Sequence, residues 1–443
     1  MTKIAFVVIA HQNPKNVARL ARLLVGGDSV VAIHYDANSD AAEFAELQLE
    51  LGDIASRILW PKRERVAWGE WSIVQATLNA LEAIAALKDK PDFVHLLSGS
   101  DYPIRPIADF RDYLSRHADK EFIECVDMAA DNWVKGGLGH ERYEYRHWFN
   151  WKAHPDLFDK SWRLQQKFGL KRQFPAEFRP HLGSQWWTLS WAAIEDVLAA
   201  SHNPRIKAFF KSVWIPDEMF IQSIVGTTRA GSTLASNLTL YQFTRMGVPA
   251  VYCNDHARYL ARQPFFFARK ISPWADRLRD ELDEYVSGKR DVVEFPDRMM
   301  GARTTEYDEF VERNRRPPPG VRLLGYDNDH WRGDLAYQER PIVAIFGASH
   351  RELRAVAELL NKHTGIVCHG ALFDPNRIEF AGDAKTCAGY NTEDVALRDD
   401  KRTNFLHDIA SEVPPPPSWD FSCPGRRTGT FAIGCSGASS PEI

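Results

Sequence analysis

The chain has 443 residues, 44% of them hydrophobic and 12% aromatic, which is material for two buried cores and marks the chain as globular. Its formal charge of −4, from 55 basic and 59 acidic residues, comes without any dense Lys/Arg block, so no electrostatic footprint for nucleic acid is present. The longest N-terminal apolar run, Ile4 to Ala10, is too short to span a membrane and lacks a small-residue cleavage signal, so a soluble, cytoplasmic protein is expected, with peripheral membrane contact left open.

Ile4-Ala5-Phe6-Val7-Val8-Ile9-Ala10 is unbroken in its apolar character, as a parallel strand buried on both faces requires, and a helix is predicted over 17–24. A second such strand at 30–33 runs into His34-Tyr35-Asp36. A helix over 41–51, a short strand at 57–60 and a helix beyond Trp68-Gly69 follow, the last carrying Val74, Leu78, Leu81 and Ile84 at helical spacing. The strand at 93–97 leads into Ser98-Gly99-Ser100-Asp101-Tyr102-Pro103, and another strand is expected at 121–125. This alternation predicts a Rossmann-like α/β sheet, with ligand-facing polar groups at the carboxyl ends of its strands. His11, Asp36 and Asp101 stand at three such ends. His95, inside a strand, reads as a satisfied core histidine. No G-x-G-x-x-G follows the first strand, so a dinucleotide site is not expected.

From about 130 to 182 the chain is rich in Trp, Tyr, Arg and His, as in Glu141-Arg142-Tyr143-Glu144-Tyr145-Arg146-His147-Trp148, with little periodicity. Such a stretch is either a packed irregular excursion or a surface that meets an acceptor. Gly183-Ser184-Gln185-Trp186-Trp187 then offers an aromatic floor of sugar size. Pro216-Asp217-Glu218 reads as a helix start, with Pro at the first position, both carboxylates in the first turn, and Met219, Phe220 and Ile224 as the buried stripe behind them. Taken alone, the two acids are as well explained by free N–H groups of a first turn as by chemistry. The 14 Trp are many for a chain of this size and supply both core and platform. The six cysteines show neither C-x-x-C nor Cys/His metal spacing, which points to reduced thiols and no zinc site.

A charged helical pattern over 275–286 precedes Arg315-Arg316-Pro317-Pro318-Pro319-Gly320, which cannot lie inside a helix or sheet. A strand at 341–346 then passes through Gly347-Ala348-Ser349-His350-Arg351 into a helix. That turn is able to cradle an anion at the helix N-terminus and is similar to the opening of a sulfotransferase domain, a plain β-α unit being the alternative. Beyond Pro414 no apolar pattern is visible, and disorder is expected over 414–443.

Six segments, in order, carry a resemblance: Ile33-His34-Tyr35-Asp36; Val66-Ala67-Trp68-Gly69-Glu70-Trp71-Ser72; Leu96-Leu97-Ser98-Gly99-Ser100-Asp101-Tyr102-Pro103-Ile104; Gly183-Ser184-Gln185-Trp186-Trp187; Pro216-Asp217-Glu218; and Phe267-Ala268-Arg269-Lys270. Over residues 3–272 the chain resembles the core-2/I-branching β-1,6-N-acetylglucosaminyltransferases and peptide O-xylosyltransferases, the inverting glycosyltransferase family 14. The resemblance implies a GT-A-like, Rossmann-type mixed sheet flanked by helices, and transfer of N-acetylglucosamine or xylose from a UDP-sugar to a hydroxyl of a glycan or protein acceptor. It implies no metal and no other cofactor, in keeping with a single carboxylate in Ser98-Gly99-Ser100-Asp101 where a divalent ion would need two. Glu218 matches the family's catalytic base. Arg258 and Lys270 match its diphosphate-binding cations, with Arg269 as a neighbour, and His11, Asp36 and Asp101 complete the expected donor side. Glu141, Arg142, Tyr143, Trp186, Trp187 and Asp217 are the expected acceptor side. The Golgi anchor and disulfide framework of the animal enzymes are not expected in this protein. The expected organisation is a transferase domain over 1–275, a helix and Pro-rich linker over 276–320, a small C-terminal α/β domain over 321–413 and the tail. Two other readings stay open: a carbohydrate-binding protein on a transferase scaffold, and a bifunctional enzyme whose C-terminal segment binds a sulfonucleotide.

Overall fold

The computed structural model describes residues 2–129, 138–229, 233–242, 249–252 and 254–292, with further elements at 324–325, 342–347, 350–364, 367–371, 379–380 and 430–435. The chain divides into two units, one of Met1–Leu240, Gln263–Ala268 and Tyr285–Tyr307, the other of Tyr241–Arg262, Arg269–Glu284 and Asp308–Ile443.

The first unit is built on a seven-stranded mixed sheet. Its centre is β1 (Ile4–Ala10), parallel to β2 (Val30–Tyr35) on one side and to β4 (Phe93–Ser98) on the other, so that Val7 faces Ala32 and Leu96 across the two ladders. The short β3 (Ile58–Leu59) closes the β2 edge. Beyond β4 the strand Trp187–Ser190 runs antiparallel to both β4 and Glu121–Ile123, and Leu234–Ala235 ends the sheet. Helix α1 (Pro14–Leu24) packs on α2 (Ala41–Glu50), and α3 (Trp71–Ala85) packs on β1 and β2. Val74, Leu78, Leu81 and Ile84 form the buried stripe of α3, as their spacing predicts. The mixed α/β sheet flanked by helices is therefore the fold read from the strand and helix periods.

The core beneath β1 and β4 is aromatic. His95 is fully buried, stacks on Phe267 at 4.3 Å and shares a 2.7 Å hydrogen bond between its Nδ1 and the Thr188 hydroxyl. Burial drives its pKa down to about 3, so the ring is a neutral packing element, as expected from its place inside a strand.

In the second unit a four-stranded sheet runs in the order Ile342–Gly347, Thr430–Cys435, Val367–Ala371, Glu379–Phe380, with the helix His350–Thr364 packed on its first three strands. Thr430–Cys435 is parallel to both its neighbours and lies between them. Of the stretch 414–443, where disorder is expected, Thr430–Cys435 alone is among the described residues, and Phe431, Ala432 and Ile433 are the short apolar run that an internal parallel strand needs. The turn residues Ala348 and Ser349 of the anion-cradle reading lie outside the described residues. Residues 241–262 and 269–284 cluster with the C-terminal part, because Ala250–Val251 pairs with Leu324–Gly325 and Tyr252 N donates to Lys270 O. The predicted helix is present at Asp276–Val286.

Candidate active site

Pro216–Glu218 forms a single 3-10 turn, and the α-helix behind it begins at Phe220, a register later than the sequence suggests. The delay starts at Ile215, whose φ of 54° and ψ of 63° lie in the left-handed region. For a β-branched residue this costs on the order of 1–3 kcal/mol, strain of a kind that gathers at functional sites. It is held by the hydrogen bond from Ile215 N to Gly69 O at 3.1 Å, Gly69 itself standing at φ 74°, where glycine is favoured. Behind the turn Met219, Phe220 and Ile224 are fully buried, with Phe220 meeting the Trp71 ring edge-on at 5.1 Å.

The turn is stitched to the Gly183-Ser184 segment. Gly183 N donates to Glu218 O at 3.0 Å, and the Gln222 amide donates to Ser184 O at 2.7 Å and Asp217 O at 3.2 Å. A Cβ on Gly183 would stand 1.8 Å from Glu124 O, so only glycine allows this approach. The two motifs singled out in the sequence thus meet through their backbones.

The Glu218 carboxylate accepts a hydrogen bond from Arg142 Nη1 at 2.6 Å. The Arg142 side chain is 7% exposed and that of Glu218 27%, so the pair sits at a buried-to-open boundary. Arg142 is fixed on three further sides: its Nε donates to Leu138 O at 2.8 Å, its guanidinium lies 5.0 Å from the centre of the Trp214 ring, and its carbonyl accepts from Trp214 N at 3.1 Å. Among the described residues Arg142 is the sole partner of the Glu218 carboxylate. Arg142, expected on the acceptor side, pairs its charge with Glu218 in this structure.

The other expected acceptor residues are placed differently from one another. Trp186 and Trp187 are 5% and 1% exposed, so neither indole offers an open face, and the aromatic floor expected there is core. A strand beginning at Trp187 in the middle of the sheet buries whatever ring it carries. Tyr143 is buried, its hydroxyl paired with His140 Nδ1 at 2.8 Å and its pKa pushed up to about 12 by desolvation. Glu141 accepts from Gly139 N at 3.1 Å and braces its own helix start. Asp217 is half-buried beside Glu218 in the same turn.

Open aromatic surface lies instead next to Gly69. Two adjoining clefts, of about 310 and about 600 Å³, share Trp68, Glu70, Trp148, Phe149 and Asn150, and the smaller also reaches Trp214. Trp148 is 61% exposed. Trp68 contacts Trp151 at 6.0 Å, Trp151 meets Trp214 at 6.3 Å, and Lys152 Nζ sits 4.3 Å over Trp68. Asn150 ties the rim together by donating to Trp68 O at 3.1 Å and Glu70 Oε1 at 2.8 Å. His147, also on the cleft, stacks on Phe158 at 4.8 Å, donates from Nε2 to Glu141 O at 3.0 Å and is driven down to about pKa 4, chiefly by burial. The sequence signal for this cleft is the Trp-dense stretch after Tyr145 together with Trp68 and Trp214, but exposure cannot be read from composition.

On the sheet side, Asp36 accepts from Asn38 N at 2.7 Å and Val66 N at 3.2 Å, and Asp101, 2% exposed, accepts from Ser98 N at 2.8 Å and Ser98 Oγ at 2.6 Å. Both carboxylates brace loops. His11 is exposed at the end of β1 and its carbonyl accepts from Ser39 Oγ at 2.6 Å. In the second unit Arg258 is exposed on the short helix Ala257–Leu260, and Lys270 is half-buried with its N donating to Ala250 O at 3.2 Å.

With this geometry in hand, the likeness to known proteins falls into place. Residues 4–256, more than half the chain, match the family described as Core-2/I-Branching enzyme. This chain belongs to the core-2/I-branching enzyme family. Residues 269–412 match a family of unknown function, DUF5927. Relatives within reach include human xylosyltransferase 1, 25% identical over 65% of this chain and 30% of its own length, and human xylosyltransferase 2, 23% identical over 76% and 44%. A xylosyltransferase of Ciona intestinalis is 22% identical over 61% of this chain and 32% of its own. The chain thus spans about a third of the curated relatives it matches first. A crystal structure of mouse xyloside xylosyltransferase 1 in its apo form is similar over 54% of this chain and 88% of its own, at 9% identity and a TM-score of 0.25.

Proposed function

We propose that the chain is an inverting glycosyltransferase that moves a sugar from a UDP-sugar to an acceptor hydroxyl without a metal ion, on a GT-A-like sheet. The observation that carries this is the Glu218–Arg142 pair on a strained turn, with the Arg142 guanidinium 5.0 Å from the ring of Trp214, a residue that lines the aromatic cleft. An alcohol is a poor nucleophile at neutral pH, so a carboxylate must take its proton as the new bond forms. Arg142 holds Oε2 of Glu218, which leaves Oε1 to accept the acceptor's O–H. As the proton passes to Glu218, the acceptor oxygen bonds to the anomeric carbon, the bond from that carbon to the diphosphate oxygen breaks, and one in-line displacement inverts the configuration. UDP departs with the electron pair.

The family resemblance assigns the departing diphosphate to the cations Arg258 and Lys270. Metal independence is favoured by the commitment of both Asp101 oxygens to Ser98. The names of the relatives favour xylose as the transferred sugar, with N-acetylglucosamine as the alternative. For the acceptor, the exposed faces of Trp68 and Trp148 suit the apolar C–H face of a saccharide, with Glu70 and Asn150 at hand for its hydroxyls. A panel of UDP-sugars, scored for transfer and hydrolysis with and without EDTA, tests donor and metal claims together. Transfer abolished by EDTA and restored by manganese would overturn the mechanism. The exposed cleft also suits a carbohydrate-binding protein, and calorimetric titration with UDP separates the two, since such a module has no reason to bind the nucleotide.

A further inference from the structure

We infer that the helix Pro155–Lys167 and the turn after it form a docking face for an anionic lipid bilayer. Among the described residues eleven large hydrophobic side chains are exposed, and six of them fall within 148–170: Trp148, Phe149, Leu157, Leu164, Phe168 and Leu170. Such a concentration is not the ordinary scatter of single surface hydrophobics. Leu157, Leu164 and Phe168 are spaced by seven and then four residues, which sets them in one row along a helix face. With Leu164 56% and Phe168 64% exposed, that row is open along its length. It is not the face that anchors the helix. Phe158 and Gln165 are the buried pair, the Gln165 amide exchanging hydrogen bonds with the Arg146 backbone at 2.8 and 2.9 Å. Gly169, at φ 62°, reverses the chain so that Leu170 N donates to Gln165 O at 2.9 Å, which holds exposed Leu170 against the end of the helix.

Charge decides the occupant. The segment 148–172 carries six basic residues against Asp156 and Asp159, and with Lys171 paired to Glu144 at 2.7 Å and Arg172 bonded inward to Tyr143 O, Phe209 O and Ser212, the cations Lys152, Lys160, Arg163 and Lys167 still outnumber the two acids, in a chain whose total is −4. Lys160, Arg163 and Lys167 are exposed on the same helix as the apolar row. An apolar row of about 16 Å flanked by cations is the pattern of a helix lying in the plane of a membrane surface, apolar side down and cations among the headgroups. No described helix is long and apolar enough to cross a membrane, so the contact is peripheral.

The test is co-sedimentation of the full chain with vesicles of phosphatidylcholine alone and of phosphatidylcholine mixed with phosphatidylglycerol. The mixed vesicles are expected to bind the protein, the neutral ones at least about tenfold more weakly, and binding is expected to fall as salt rises. Two double variants separate the contributions: Lys160→Glu with Lys167→Glu, and Leu164→Glu with Phe168→Glu. All four side chains are exposed, so the melting temperature is expected to hold while each variant loses at least about tenfold in vesicle affinity. Transfer to a soluble acceptor is expected to be unchanged in both. Failure of the wild type to bind mixed vesicles, binding that neither variant weakens, or sedimentation of a dimer that Leu164→Glu with Phe168→Glu dissolves would each overturn the lipid assignment.

Discussion

Asp101 and Glu218 are both carboxylates on tight turns of the first unit, yet the structure uses them in opposite ways. Asp101 is sealed in and accepts from the backbone and hydroxyl of Ser98, three residues away. Glu218 is partly open and is held by a guanidinium 76 residues away, itself pinned by Leu138 O and Trp214. A buried carboxylate that accepts from its own loop is held as part of that loop. One that is oriented from a distance, at a solvent boundary, keeps an oxygen for chemistry.

The sharpest way to break that comparison is Glu218→Gln. The amide keeps the shape of the side chain but cannot accept a proton, so transfer is expected to fall by about a thousandfold while UDP binding by calorimetry is retained. Equal loss of both would reduce Glu218 to a structural residue like Asp101.

The next largest effect concerns pH and stability. His147 is neutral in the folded cleft with a pKa of about 4, against an ordinary histidine value near 6.5 in the unfolded chain. A proton therefore favours the unfolded chain across that interval. Stability is unaffected above about pH 6.5, declines as pH falls, and the decline is complete near pH 4, amounting to about 3 kcal/mol from this residue. Denaturant midpoints at pH 7 and pH 4.5 are expected to differ less in His147→Gln, whose amide can still donate to Glu141 O. An unchanged difference would assign the acid sensitivity to other buried histidines such as His95.

Asp101→Ala addresses the other half of the comparison. Removing the acceptor from Ser98 N and Oγ is expected to cost about 2 kcal/mol of stability by chemical denaturation, with transfer by the folded protein little altered. Lost transfer at full stability would return Asp101 to the donor site. The smallest effect is expected from Trp148→Ala, which removes an exposed ring from the cleft rim. Acceptor KM is expected to rise about fivefold with kcat unchanged, since a stacking surface binds substrate and transition state alike. A fall in kcat alone would argue against the cleft as the acceptor platform.

Much of this was legible from the chain itself. The uninterrupted apolar run of β1, the helical spacing in α3 and the placement of His95 in a strand are local periodic signals, and the sheet follows from them. The roles of Trp187, Arg142 and Thr430–Cys435 were not legible in the same way. Trp187 looks like a platform until its strand is found between β4 and Glu121–Ile123, and an arginine in an aperiodic stretch shows nothing of the glutamate it will meet. The strand at the end of the chain was hidden by its composition, because three apolar residues in a Gly- and Ser-rich context carry no period to detect.

By itself the amino-acid sequence determined the fold class, through period and composition, and the candidacy of Glu218, through an ordered set of short motifs. The tertiary structure alone decided which aromatic rings stay open, which carboxylates are bonded within their own loops, and which cation pairs with Glu218. The reason is physical: burial and long-range pairing depend on which segments share a neighbourhood, and that information is spread over residues such as Gly69, Arg142 and Glu218 that are far apart in the chain and adjacent only after folding.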